Sequence, residues 1–314
     1  MRRTTMQRSA ALRADWADGP LAPPRRRILL MANPTAGGFR AKVLEAVAAG
    51  LEAAGAEVEV RLTKRAGEIR EVCADVTLAA DTVVIGGGDG SLNEALRGLQ
   101  TCPVRPKLAI IPFGTANVLA HELGLPFKAD RIIAMIAAGR SKPLYYGLAN
   151  GVPFVLMASI GFDADVVHHV PLDLKRQLGK LAYVWSALKR SFKRRPGPLT
   201  VTVGTETPRT CRLAVLTNSE RYGGTFRLCP AAHATQPGLH LVMLTSDSPL
   251  ALMRFGLALV MNRIAHAHGV ITVPVETVTV TSEEPVACQI DGDPFGATPV
   301  TVTAAHDPAR IIVP

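Results

Sequence analysis

Residues 82–94 read Thr-Val-Val-Ile-Gly-Gly-Gly-Asp-Gly-Ser-Leu-Asn-Glu, and they concentrate the chemistry of this chain of 314 residues. An apolar, β-branched run stops at three glycines and a carboxylate, Asp89, follows. Ser91 and Glu94 then have the Ser-x-x-Glu spacing of a capping box, which predicts a helix beginning at Ser91. A strand, a tight loop and a helix start bring backbone N–H groups and the positive end of a helix dipole together, a setting that favours a phosphate. Asp89 would repel a bare phosphate. It makes sense with a divalent cation between the two anions, as in nucleoside triphosphate chemistry. The loop is not a Walker A, because Gly-Lys-Ser/Thr is missing, and it is not the Gly-x-Gly-x-x-Gly dinucleotide turn.

Two further polar turns accompany this loop. Arg25–Arg27 lead into an apolar strand, Ile28 to Ala32, that ends at Asn33-Pro34-Thr35-Ala36-Gly37-Gly38. The strand Leu108–Ile111 ends at Pro112-Phe113-Gly114-Thr115. The elements positioning these turns alternate: helix 41–54, strand 58–63, helix 69–80, strand 82–86, helix 92–100, strand 108–111 and helix 116–123. Such alternation implies a mostly parallel sheet covered by helices, with ligands bound beyond the carboxyl ends of its strands. Near residue 145 the pattern changes. Val/Thr-rich segments 152–160, 199–203, 211–217, 239–245, 270–273, 275–281, 286–290 and 299–303 are separated by Pro/Gly turns. Only 173–194 and 249–264 look helical there, so the second half is expected to be a β-sandwich.

Composition narrows the class. Hydrophobic residues make up 48% and charged residues 19%, as in a globular protein rather than a disordered one. No apolar run is long enough to cross a bilayer. Residues 1–24 are polar and contain arginine without an apolar core, which suggests a disordered tail rather than a signal peptide. The five scattered cysteines suit buried, reduced thiols in a cytosolic protein. The net charge of +9 gathers between Lys175 and Arg195. A positive surface there suits nucleic acid, anionic lipid or nucleotide phosphates, or is a solvated helix face. With 5% aromatics and no recognised module, nucleic acid ranks last. The histidines are not spaced for metal: His168 and His169 are adjacent, and His266 and His268 lie two apart.

Five motifs in order make the chain resemble the diacylglycerol kinase catalytic-domain family, which includes bacterial lipid kinases and sphingosine and ceramide kinases and is related in fold to NAD kinases. They are Asn33-Pro34 with Gly37; Gly87-Gly88-Asp89-Gly90-Ser91 with Asn93-Glu94; Pro112-Phe-Gly-Thr-Ala-Asn117; Gly161-Phe-Asp163-Ala; and Asp291-Gly292-Asp293. The resemblance covers roughly residues 27–305. It implies an N-terminal NAD-kinase-like parallel α/β domain at 25–148 and a C-terminal β-sandwich lipid-substrate domain at 149–298. Residues 299–314 would return toward the first domain. The implied activity is ATP-dependent phosphorylation of a lipid hydroxyl, diacylglycerol first and a sphingoid base or ceramide second. An NAD kinase-like enzyme and a non-catalytic lipid or nucleotide sensor are the other readings.

The resemblance also implies roles. Asn33, Thr63, Gly87, Gly88, Asp89, Gly90, Ser91, Asn93, Glu94, Gly114, Thr115 and Asn117 would hold ATP, with Asp89 on the Mg²⁺. Asp163 and Asp165 would lie on the substrate side, and the base would be Asp293 or Asp89. Three departures stand out. Asp293 occupies a position where the family has glutamate, Gln236-Pro237-Gly238-Leu239 lacks the aspartate of a structural metal site, and Val118 and His121 stand where many relatives have Asp and Arg. In segment 173–195, Leu174, Leu178, Leu181, Trp185, Leu188 and Phe192 form one apolar stripe on a cationic helix. That stripe packs on the sandwich or lies at an anionic membrane, which would make the protein cytoplasmic and peripheral to the inner face. The oligomeric state is open, a homodimer included.

Overall fold

The computed structural model describes residues 26–161, 164, 197–224, 226–264 and 267–314. The expected tail 1–24, the basic segment 173–195, Asp163 and Asp165 lie outside the described residues.

The first half alternates as expected: β1 (Arg27–Ala32), α1 (Ala41–Ala53), β2 (Glu57–Leu62), α2 (Glu68–Ala74), β3 (Thr82–Gly87), α3 (Asp89–Leu99), β4 (Lys107–Pro112), α4 (Val118–Glu122), α5 (Ala129–Ala138) and β5 (Ser141–Leu144). The second half consists of β6 (Gly147–Ala149), β7 (Val152–Phe154), β8 (Met157–Gly161), β9 (Leu199–Val203), β10 (Arg209–Cys211), β11 (Leu213–Thr217), β12 (Arg221–Tyr222), β13 (Phe226–Arg227), β14 (Leu239–Leu244), α6 (Pro249–Val260), β15 (Val270–Val275), β16 (Thr277–Ser282), β17 (Ala287–Ile290), β18 (Asp293–Ala297), β19 (Val300–Ala304) and β20 (Ala309–Ile312).

The N-terminal sheet has the order β2-β1-β3-β4-β20-β5. Strands β1 to β4 pair in parallel. β2 lies on one side of β1 and β3 on the other, so the strand order reverses between β1 and β3. Crossovers leave that point in opposite directions, which opens a crevice at the strand ends. The glycine loop after β3 and the Asn33 turn after β1 both sit there.

The C-terminal half is two antiparallel sheets, β10-β9-β16-β19-β6-β7 and β15-β14-β11-β8-β17-β18. The second is covered on both faces, which explains why β11 is apolar at nearly every position. Ala214 and Leu216 enter the core shared with the partner sheet, whereas Leu213 and Val215 join the core continuous with the first domain. Side chains of a strand alternate between faces, so one short strand ties the two domains together.

Several boundaries differ from expectation. Helix α2 ends at Ala74 instead of continuing to 80, because Asp75 turns back and its Oδ1 accepts from the amide and hydroxyl of Thr77. Segment 152–160 is two strands, separated by Val155 and Leu156, whose amides are donated to Asp291. The return to the first sheet is β20 alone; from residue 300 to 304 the chain is still a sandwich strand. Helix α5 was not foreseen, although Ile132, Met135 and Ile136 are buried along it and Gly139 ends it in the left-handed conformation.

All five cysteines are buried and unpaired, and burial pushes Cys73, Cys211 and Cys288 up to about 12. Among the described residues, no helix is long and apolar enough to cross a membrane.

Candidate active site

Three loops meet at the strand ends. The Gly38 amide donates to the Phe113 carbonyl (2.8 Å), and the Asn33 amide donates to the Gly86 carbonyl (2.9 Å). A Cβ on Gly114 would stand 2.5 Å from the Gly88 Cα, and one on Gly37 would stand 2.9 Å from the Thr115 hydroxyl. The glycines at 37, 88 and 114 therefore let three backbones approach to a separation that side chains would prevent. A Cβ on Gly90 would meet nothing within 4 Å, so the cradle is open at that point.

Helix α3 starts at Asp89 with Gly88 as its N-cap, three residues before the cap expected at Ser91. Glycine supplies no side-chain acceptor, and the Ser91 amide turns back to the Gly88 carbonyl (3.1 Å), which leaves the Gly90 amide for a ligand. Ser91 lies inside the helix with its side chain folded against Gly87, 2.4 Å from where a Cβ there would be. Glu94 does not close a capping box. It accepts the Gly67 amide at 3.1 Å, at the start of α2, where a carboxylate complements the helix dipole.

Asp89 lies at the junction of two helices. Its Oδ2 accepts from the Val118 amide (2.9 Å) and its Oδ1 from the Leu119 amide (3.1 Å), which caps α4 in place of the adjacent Asn117. Burial raises its pKa, opposed by these amides. Its own backbone amide is a third donor, so the carboxylate still has acceptor capacity to spare. Asn117 is held in the left-handed region (φ 45°) and donates to the Gly114 carbonyl at 2.7 Å. Its buried Oδ1 has no protein partner.

On the second domain, Asp291 and Gly292 both have positive φ, and Ile290 pairs with Asp293. They form the two-residue turn of a β17–β18 hairpin, the conformation that Asp-Gly favours. The turn places the Asp291 carboxylate against four donors. Oδ2 accepts from Asn93 Nδ2 (2.6 Å) and the Val155 amide (2.7 Å), and Oδ1 from the Leu156 (2.8 Å) and Met157 (3.0 Å) amides. Burial, with Asp89 nearby, pushes its carboxyl up to about 6 against the pull of the amides.

On α3, Asp89, Asn93 and Arg97 follow at i, i+4 and i+8, one face of the helix. Asp89 reaches α4, Asn93 reaches Asp291, and Arg97 donates to the Pro153 carbonyl at 3.4 Å. One helix face thus joins the glycine cradle to the second domain.

The other expected residues divide. Thr63 neighbours the cradle through its amide, which donates to the Ala32 carbonyl (2.9 Å). The Asn33 Oδ1 accepts from the amide and hydroxyl of Thr35 (2.9 and 2.8 Å), and Thr115 is exposed at the rim. Asn93 faces Asp291 rather than the loop. Asp293 is exposed at the first position of β18. Glu122 was not foreseen: it accepts from the Ser219 hydroxyl and from the Ala234 amide (2.7 Å), joining α4 to the second domain. Its partners are distant in sequence, and no local pattern announces them.

The profile of the diacylglycerol kinase catalytic domain matches residues 27–149, and that of the YegS C-terminal NAD kinase beta sandwich-like domain matches residues 157–313. The chain belongs to the diacylglycerol kinase catalytic-domain family. It is accordingly a kinase. It is 26% identical to the diacylglycerol kinase of Bacillus subtilis (strain 168), over 92% of this chain and 97% of that protein. Over 48% of this chain and 49% of the other, it is 37% identical to a YegS-like protein assigned as a lipid kinase in Pseudomonas aeruginosa (strain UCBPP-PA14). The fold matches a structure assigned as a diacylglycerol kinase from Bacillus anthracis str. Sterne, with a TM-score of 0.79 and 24% identity over 92% of this chain and 98% of that one.

The departures from the family pattern have local consequences. Val118 serves Asp89 through its amide, which any residue but proline supplies. In segment 236–239, which lacks the aspartate, Gly238 (φ 92°) turns the chain into β14. Among the described residues no three His, Cys, Asp or Glu side chains gather to hold a metal. The site still suits a magnesium ion arriving with its nucleotide, since such ions are held by one or two carboxylates, phosphates and water. Asp89 has acceptor capacity for that purpose. Asp291, with four donors, has none to spare.

Proposed function

We propose that this kinase transfers the γ-phosphate of ATP to a lipid hydroxyl, with diacylglycerol as acceptor and phosphatidic acid as product. One observation carries the reading: Asp89 is a partly buried acid inside a cradle of closely packed glycines, fixed by backbone amides and with acceptor capacity to spare. Phosphoryl transfer needs mainly position and charge neutralisation, with a base for the attacking hydroxyl. The Gly90 amide at the start of α3 and the loops at 37–38 and 114–115 receive the phosphates. Asp89, fixed by backbone amides, takes the proton of the acceptor hydroxyl. Magnesium would neutralise phosphate charge, with Asp89 as its protein-side holder, directly or through water. Asp293, exposed on β18, is assigned no proton transfer.

In this reading the sandwich receives the lipid, and the protein works at the cytoplasmic face of the membrane, with segment 173–195 against anionic headgroups. The test is incubation with γ-labelled ATP and a panel of diacylglycerol, sphingosine, ceramide and NAD, followed by thin-layer separation. Label in phosphatidic acid is the expected result. Label only in a sphingoid, ceramide or NADP product reassigns the acceptor, and ATP binding without any labelled product favours a sensor.

A further inference from the structure

Helix α6 is apolar on both sides. Its inner face, with Leu252, Phe255 and Leu259, packs on the core continuous with the first domain. Its outer face carries Leu250, Met253, Leu257, Val260 and Met261, which are between 50% and 64% exposed. At 3.6 residues per turn these five fall within an arc of roughly 100°. The helix is firmly ended, so the exposed face is not a frayed terminus. The Ser248 hydroxyl accepts the Ala251 amide at 3.2 Å. At the other end Asn262 is left-handed (φ 53°), its amide donating to Leu259 and that of Arg263 to Ala258, as in a Schellman cap.

The charge around the strip has one sign. Exposed Arg254 borders the arc and exposed Arg263 follows it, and no acidic residue occurs from Ser248 to Val275. Leucine and methionine on one face beside arginines match the acyl boundary and phosphates of an anionic bilayer. A strip five side chains long is narrow for a second copy of the chain, since stable protein interfaces engage about 20–30 residues a side. The helix is also coupled to the site. Asn262 Oδ1 accepts the Arg227 amide of β13 (3.0 Å), β12 packs on α4, and Asp89 caps α4.

We propose that the outer face of α6 docks on an anionic lipid surface and sets the crevice at the membrane. This deepens the lipid-kinase reading by naming a contact surface, yet its test needs neither ATP nor turnover. Full-length protein and the triple variant Leu250→Ser, Met253→Ser, Leu257→Ser are sedimented with phosphatidylcholine–phosphatidylglycerol vesicles and with phosphatidylcholine alone. Binding to the mixed vesicles should fall about tenfold or more in the variant. Arg254→Gln with Arg263→Gln should reduce the preference for the mixed vesicles. Separately, Leu257→Trp should add emission that lipids brominated on their acyl chains quench, a readout independent of the triple variant's folding. Equal vesicle binding by wild type and a folded triple variant would overturn the proposal, as would an unquenched Trp at 257. A wild-type dimer that the triple variant converts to monomer would also overturn it, because the occupant would then be a second copy. Docking without labelled phosphatidic acid in the turnover assay would leave this surface standing and remove only the substrate assignment.

Discussion

Asp89 stands on the first domain and Asp291 on the second, and they use their oxygens differently. Asp89 accepts from the Val118 and Leu119 amides and from its own, and retains acceptor capacity beside an open glycine cradle. Asp291 accepts four donors, from Asn93 and three consecutive amides, and is saturated. Both carboxyls are raised by burial. A perturbed pKa alone would mark both as catalytic candidates. Lone-pair accounting separates them, with one acid available for chemistry and the other holding two domains in register.

The largest effect should come from Asp89→Asn. We expect turnover to fall roughly 100- to 10,000-fold, while unfolding free energy drops by only about 1–2 kcal/mol, because the asparagine oxygen keeps one of the two cap amides and its N–H₂ opposes the other. Asp291→Asn should do the reverse, lowering unfolding free energy by about 2–4 kcal/mol in denaturant titration, since an amide N–H₂ would oppose donors. If Asp89→Asn unfolds the protein and Asp291→Asn spares its stability, the division of roles is wrong.

The pH dependence sharpens the contrast. The Asp291 carboxyl moves from 3.8 to about 6 on folding, so the folded state binds its proton more tightly. Its contribution is complete below 3.8 and is lost as pH rises through about 6. The stability gap between wild type and Asp291→Asn should therefore shrink by up to about 3 kcal/mol as that window is crossed. A gap that widens instead would mean that the four donors outweigh burial. Asn93→Ala removes one donor and should cost about 1–3 kcal/mol by thermal unfolding. Smallest of all, Asp293→Asn should change stability by less than about 0.5 kcal/mol and leave turnover near wild type. A large loss of turnover there would return the base to β18.

The glycine loop, the strands before it and the two-domain order were legible because they are local. An apolar run that stops at glycines marks a strand end wherever it occurs, and Val/Thr-rich segments mark the sandwich. The start of α3 was misplaced because Ser91 and Glu94 imitate a capping box, whereas Gly88 caps through an absent side chain. The role of Asp291 is hidden in the sequence because its donors lie far away, Asn93 by 198 residues and Val155 by 136. No spacing rule reports a bond of that kind. The clasp of Glu122 on Ser219 and Ala234 was hidden for the same reason. Helix α5 was different: its periodicity and Gly139 were in plain view. The exposed strip on α6 was invisible for a subtler reason, since a helix apolar all round predicts burial until a neighbour is found missing on one side.

The cradle itself can be tested without any lipid. Calorimetric titration of ATP with magnesium into wild type and Gly114→Ala measures it directly, because the added Cβ would meet Gly88 at 2.5 Å and force the loops apart. Magnesium-dependent ATP binding by wild type that is lost or strongly weakened in a folded Gly114→Ala is the result this account predicts. A wild type without affinity for magnesium ATP, or a variant that binds it equally well, would contradict it.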